Sequence, residues 1–227
     1  MAIATFRDHI VDAIDAPASA RFWSRVLGQP IREDVVALVG GPTLWVNDVP
    51  EPKTVKNRVH LDLRMPHDDP KPLVELGATI DREPTADDRW WVMRDPEGNE
   101  FCAFAPVDFH RPDTYEVFEM VVDSVDGHAQ AAWWAEVLGG TVGSKPTFAW
   151  VEGAAGFPWR YFVFGDVPEP KTVKNRWHWD VELPPGEDVS KLVAAGATVL
   201  RERDDDIQWT IMADPEGNEF CAFETTE

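Results

Sequence analysis

Four pairs of chemically capable side chains stand two residues apart in runs that read as β-strands. They are His60 and Asp62 in RVHLDLR, Glu100 and Cys102 in EFCAF, His178 and Asp180 in RWHWDVE, and Glu219 and Cys221 in the second EFCAF. Residues i and i+2 of a strand share a face, so each pair is displayed together. A carboxylate in a pocket can act as a general base or a ligand, and a second carboxylate beside it raises its pKa. A thiol with an imidazole across the same surface is a candidate nucleophile. Each reading has a bland counterpart. The acids can simply hydrogen-bond a neighbouring histidine or a turn backbone, and cysteine is a small strand residue that is commonly buried, the reading favoured for Cys102 and Cys221.

The elements that position these pairs come from an internal repeat. VPEPKTVKNR occurs at Val49 to Arg58 and at Val167 to Arg176, an offset of 118 (167 minus 49). DPEGNEFCAF occurs at Asp95 to Phe104 and at Asp214 to Phe223, an offset of 119 (214 minus 95). FWSRVLG, ending at Gly28, answers WWAEVLG, ending at Gly139, so about seven residues are added near 154–161, where insertions belong in loops. Pro106 and Pro112 interrupt a stretch without apolar periodicity, which places a linker at 105–114 and domains at 1–106 and 114–227. Within each copy the order is strand, helix, three strands, given twice. Asp15 caps a helix that carries Pro17 in its first turn and ends at Gly28, and RVHLDLR alternates as a half-buried strand does. The fold class is α+β.

Composition narrows the partners. The 21 basic and 41 acidic side chains give a formal net charge of -20, which repels phosphate backbones and anionic lipid surfaces. Nucleic acid and membrane are excluded as expected partners. No apolar run approaches the roughly 20 residues that span a bilayer, and the N-terminus has no signal pattern, so a cytoplasmic location is expected. Cys102 and Cys221 are the two cysteines, expected to stay reduced in that compartment and to point into separate cups.

The runs HIVDAID, ARFWSRVLG, RVHLDLR, LGAT and DPEGNEFCAF, with their counterparts in the second copy, resemble the glyoxalase-like and bleomycin-resistance-like domains of the vicinal oxygen chelate superfamily. That resemblance covers nearly all of both copies. It implies two tandem domains, each of paired βαβββ units forming a cupped mixed sheet. It also implies a small-molecule site in the cup, with functions in the superfamily ranging from lyases, isomerases and dioxygenases to drug-binding proteins.

Carried over by position, the ligand-bearing strands give His9, His60 and Cys102. Metal-using relatives usually have glutamate where Cys102 and Cys221 stand. A three-ligand site for one divalent metal, zinc or iron, is therefore drawn in copy one from His9, His60 and Glu100 or Cys102, with an open position for substrate. The alternative is a set of satisfied polar groups in a half-open cleft. In copy two Met120 replaces His9, and no metal is expected there.

The leading expectation is a small-molecule-binding protein, a lyase or isomerase acting in copy one through Glu100, His60 and Cys102. Asp62, Trp91, Arg58, His178, Asp180, Glu219 and Cys221 are expected to bind ligand. The alternative is a non-catalytic sequestering protein, in which aromatic walls and carboxylates hold a cationic ligand and copy two is a structural partner. For the basic loop at Lys53 to Arg58, contact with a ligand anion competes with pinning of backbone carbonyls and of the DPEGNE turn, and the second is favoured. Fusion of the copies makes a monomer credible beside a homodimer.

Overall fold

The computed structural model describes residues 2–32, 34–107 and 109–225. Four βαβββ units follow one another. The first holds β1 (Thr5–Ala13), α1 (Ala16–Leu27), β2 (Ile31–Arg32), β3 (Ala37–Leu38) and β4 (Leu44–Asp48). The second holds β5 (Val59–Arg64), α2 (Lys71–Glu75), β6 (Thr79–Arg82), β7 (Trp90–Arg94) and β8 (Glu100–Phe104). The third holds β9 (Glu116–Ser124), α3 (Gly127–Leu138), β10 (Thr141–Lys145), β11 (Phe148–Glu152) and β12 (Tyr161–Asp166). The fourth holds β13 (Trp177–Leu183), α4 (Ser190–Ala194), β14 (Thr198–Arg201), β15 (Thr210–Ala213) and β16 (Glu219–Glu224).

The longer helices start where the sequence provides a cap. Asp15 Oδ1 accepts the Ala18 N–H at 2.8 Å, and Asp126 Oδ1 accepts the Ala129 N–H at 2.9 Å. Such caps contribute about 1 kcal/mol each. Gly28 ends α1 at φ 65°, a left-handed conformation that carries no penalty without a Cβ.

The strands form two eight-stranded sheets, β14-β15-β16-β13-β1-β4-β3-β2 and β10-β11-β12-β9-β5-β8-β7-β6. The first is called sheet A and the second sheet B. The tandem glyoxalase-like architecture with cupped sheets is thus present, but neither cup closes within one copy. Sheet A joins the first unit to the fourth, through the antiparallel pair β1 and β13. Sheet B joins the second unit to the third, through β5 and β9. The two identical decapeptides are the crossovers: Val49 to Arg58 leads from sheet A to sheet B, and Val167 to Arg176 leads back.

One apolar core lies behind both cups, with Leu61, Met120, Val122 and Phe101 from sheet B and Val11, Trp177, Trp179 and Phe220 from sheet A. The helices bridge the sheets. Trp23 of α1 meets Trp177 and Phe101, while Trp134 of α3 meets Trp179 and Phe162. Each indole donates to a buried turn aspartate, Trp23 to Asp95 at 3.1 Å and Trp134 to Asp214 at 3.2 Å. The insertion near 154–161 is a loop, as expected, yet it packs inward. Phe157 lies edge-on to Phe6, and Trp159 lies edge-on to His9.

Candidate active site

Cup B is built around three neighbouring strands. On β5, Asp62 stands opposite Glu119 of β9 on one side and Cys102 of β8 on the other, and His60 stands opposite Val121. Donor atoms of His60, Asp62 and Cys102 lie within 4.8 Å of one another. His60 Nε2 approaches Asp62 Oδ1 to 3.3 Å, but off the hydrogen-bond line, so this buried oxygen has no donor. Burial, and then the Asp62 charge beside it, push the Glu119 carboxyl well above the usual range. The same two causes push the Cys102 thiol up, so it is a protonated thiol at neutral pH rather than a poised thiolate. Among the described residues no lysine or arginine forms an ion pair with Asp62 or Glu119. Beside Glu119 a hollow of about 220 Å³ is lined by Phe148, Trp150, Tyr161, Val163 and Lys145 together with Glu119 itself, and not by His60, Asp62 or Cys102.

Cup A repeats the triad with His178, Asp180 and Cys221, whose donor atoms also lie within 4.8 Å of one another. Its acids are better served. Asp8, which corresponds to Glu119, accepts from Trp45 Nε1 at 3.1 Å and has Arg7 Nε at 3.5 Å. Asp12 pairs with Lys174 and lies 3.5 Å from His178 Nε2. Burial raises the Asp12 carboxyl, but His178 and Lys174 outweigh it and hold the group down at about 2. Burial and the nearby Asp8 push Asp180 up to about 7.

The residues drawn together from the sequence as His9, His60 and Glu100 are not brought together. His9 lies in sheet A, and its side chain points to the core, where it is 1% exposed between Trp159 and Trp177. Neither ring nitrogen has a hydrogen-bond partner, and burial lowers its pKa to about 3. A residue turned from the cup cannot ligate within it, and Met120 at the matching position of β9 is likewise core.

Glu100 is spoken for. Lys53 Nζ and Arg94 Nη1 each donate to Oε1 at 2.8 Å, and the Asn57 N–H donates to Oε2 at 3.0 Å. Burial pushes its pKa up, but Lys53 and the Asn57 amide outweigh this and leave it low. Glu219 does the same for the second crossover, with Lys171 at 2.6 Å and the Asn175 N–H at 3.1 Å. These glutamates latch the crossovers. Asn57 and Asn175 extend the latch to Asn99 and Asn218 of the turns.

Trp91 also faces the core, opposite Ala103, whereas Trp90 stands on the cup face opposite Phe104 and stacks on it at 5.2 Å. Glu119 is the residue that sequence reasoning missed. Its signal was the matched spacing of acids, Asp8 and Asp12 in β1 against Glu119 and Asp123 in β9.

Protonated or ionised, the His60, Asp62, Cys102 and Glu119 cluster offers nitrogen, oxygen and sulfur donors with a surplus of acid protons. That donor set suits zinc or ferrous iron, since a divalent cation would displace those protons and satisfy the orphaned Asp62 oxygen.

Two stretches of the chain, residues 8–104 and 119–223, match the family model described as a glyoxalase-like domain. No curated protein matches the chain. Among solved structures, glyoxalase I from Zea mays superposes with a TM-score of 0.64 at 15% identity, covering 97% of this chain and 92% of that one. A candidate dioxygenase from Bacillus subtilis superposes with a TM-score of 0.61 at 14% identity, covering 98% and 86%. At these identities the likeness is one of fold. No helix among the described residues is long and apolar enough to cross a membrane.

Proposed function

Because the chain belongs to the glyoxalase-like family, we propose that it binds a small molecule in cup B and acts there as a metal-assisted lyase or isomerase. The observation that carries this reading is the pair of buried Asp62 and half-buried Glu119, which has histidine and cysteine donors beside it and no side-chain cation paired to it. His60, Asp62 and Cys102 would hold zinc or ferrous iron, which as a Lewis acid polarises a substrate oxygen. Glu119, whose carboxyl holds a proton in the empty site, would give that proton up when a cation binds, and as a carboxylate beside the cation takes and returns a substrate proton at Oε1 or Oε2. Phe148, Trp150 and Tyr161, which line the open hollow beside Glu119, offer an aromatic wall to a planar substrate.

Elemental analysis tests this directly. Protein purified without added metal, then exposed to zinc or ferrous iron and desalted, should retain one equivalent, and Asp62→Asn should retain none. An empty wild-type protein that ignores both metals sinks the reading.

The aromatic wall over an unpaired carboxylate also supports the sequestering reading, in which an organic cation fills cup B. In that case a cationic aromatic dye quenches tryptophan fluorescence at one per chain, unaffected by chelators, and no compound is turned over.

A further inference from the structure

The two cups carry the same cross-strand pair with its large and small members exchanged. In cup A, Trp45 of β4 stands opposite Ala37 of β3, and in cup B, Val163 of β12 stands opposite Trp150 of β11. Trp45 and Val163 hold equivalent positions, since they pair with Ile10 of β1 and Val121 of β9. The two indoles lean opposite ways. Trp45 reaches inward and donates from Nε1 to Asp8 Oδ2 at 3.1 Å, and Ile10 beside it is 4% exposed. Trp150 lies outward over Gly143 of β10, where an added Cβ would collide with the ring. The space between Val163 and Glu119 is thereby left open as the hollow of about 220 Å³, and Val121 is half-buried.

Trp45 thus spans, in cup A, the two positions whose counterparts Val163 and Glu119 border the hollow of cup B. We propose that this hollow binds a flat aromatic molecule of indole size whose N–H is donated to the Glu119 carboxyl, and that Trp45 is the built-in occupant that keeps cup A closed. The proposal names the ligand class of cup B and rests on the reading that a small molecule binds there. Asp8 has its N–H donor in Trp45, whereas no N–H among the described residues donates to the Glu119 carboxyl. Phe148, Trp150 and Tyr161 line the hollow in series, with ring centroids 5.8 and 6.2 Å apart, and offer faces and edges to an aromatic guest.

Isothermal titration with indole and with benzofuran, which has the same ring shape without the N–H, tests the proposal. Wild-type protein should bind one indole per chain, about fivefold tighter than benzofuran, as one hydrogen bond provides. Glu119→Leu removes the acceptor and should bind the two alike. Val163→Trp gives cup B the side chain that cup A carries and should abolish binding, whereas Trp45→Val opens cup A and should raise the stoichiometry to two. If Trp45→Val fails to fold, Val163→Trp and Glu119→Leu still decide. The proposal is overturned by no saturable indole binding, by benzofuran binding the wild type as tightly as indole, by undiminished binding in Val163→Trp, or by a folded Trp45→Val that binds one. Metal retention is read separately by elemental analysis. A protein that keeps zinc but binds no indole fails here alone, and one that binds indole but keeps no metal fails only the metal-assisted reading.

Discussion

Replacing His9 with methionine, the residue its counterpart position already carries, isolates the consequence of burying an imidazole. In the folded chain the ring is buried without partners and its pKa falls from 6.5 to about 3. A histidine held neutral contributes stability that is fully present above the unfolded pKa of 6.5 and is lost as pH falls below it, because the unfolded chain takes the proton first. Each pH unit below 6.5 removes about 1.4 kcal/mol, so at pH 4.5 the wild-type protein has lost about 2.7 kcal/mol to this one group. Methionine fills a similar volume and does not titrate. Urea unfolding at pH 7.5 should therefore place His9→Met within about 1.5 kcal/mol of wild type, and at pH 4.5 the gap should shift by about 2.7 kcal/mol in favour of the variant. Parallel loss of stability in the two proteins between these pH values would refute the core placement of His9, as would loss of bound metal in His9→Met.

Glu100→Gln unlatches the first crossover from Lys53 and Arg94, and should cost about 1–3 kcal/mol of stability by thermal melting while leaving metal stoichiometry at cup B unchanged. Cys102 and Cys221 are buried, with thiols pushed up in pKa, so a thiol reagent at pH 7.5 should label neither until the chain is unfolded in urea. Metal affinity at cup B should strengthen as pH rises from 6 to 8, because Glu119 and Cys102 must give up protons to a cation; competition against a chelator at fixed metal would show it.

Much of the fold was legible because it is written locally. Asp15 and Gly28 mark the ends of α1, the alternation at 58–64 marks β5, and the repeated decapeptides mark equivalent positions. What was not legible is non-local. Sequence identity between the copies says which strands are equivalent, but not whether β5 pairs with β1 of its own copy or with β9 of the other. That choice put His60 with Glu119 instead of His9. Facing was misread for a related reason. A strand's period of two fixes which residues share a face, not which face is inward, so Trp90 and Trp91 could be told apart only once Trp90 stood opposite Phe104, two residues from Cys102. The closeness of His60, Asp62 and Cys102 was legible because their pairing lies within one unit. The asymmetry of the cups rests on single partners, such as Trp45 and Arg7 at Asp8, that no spacing reveals.

The central claim is that the working site joins His60 of the first copy to Glu119 of the second. Cobalt(II) titration, read by the thiolate-to-metal absorption that Cys102 would contribute, measures it in a double-mutant cycle. His60→Gln and Glu119→Gln should each weaken binding about tenfold or more, and the double variant should lose less than the product of the two, as coupled groups at one site do. A cobalt site that Glu119→Gln leaves unchanged, or effects that multiply independently, would contradict the account.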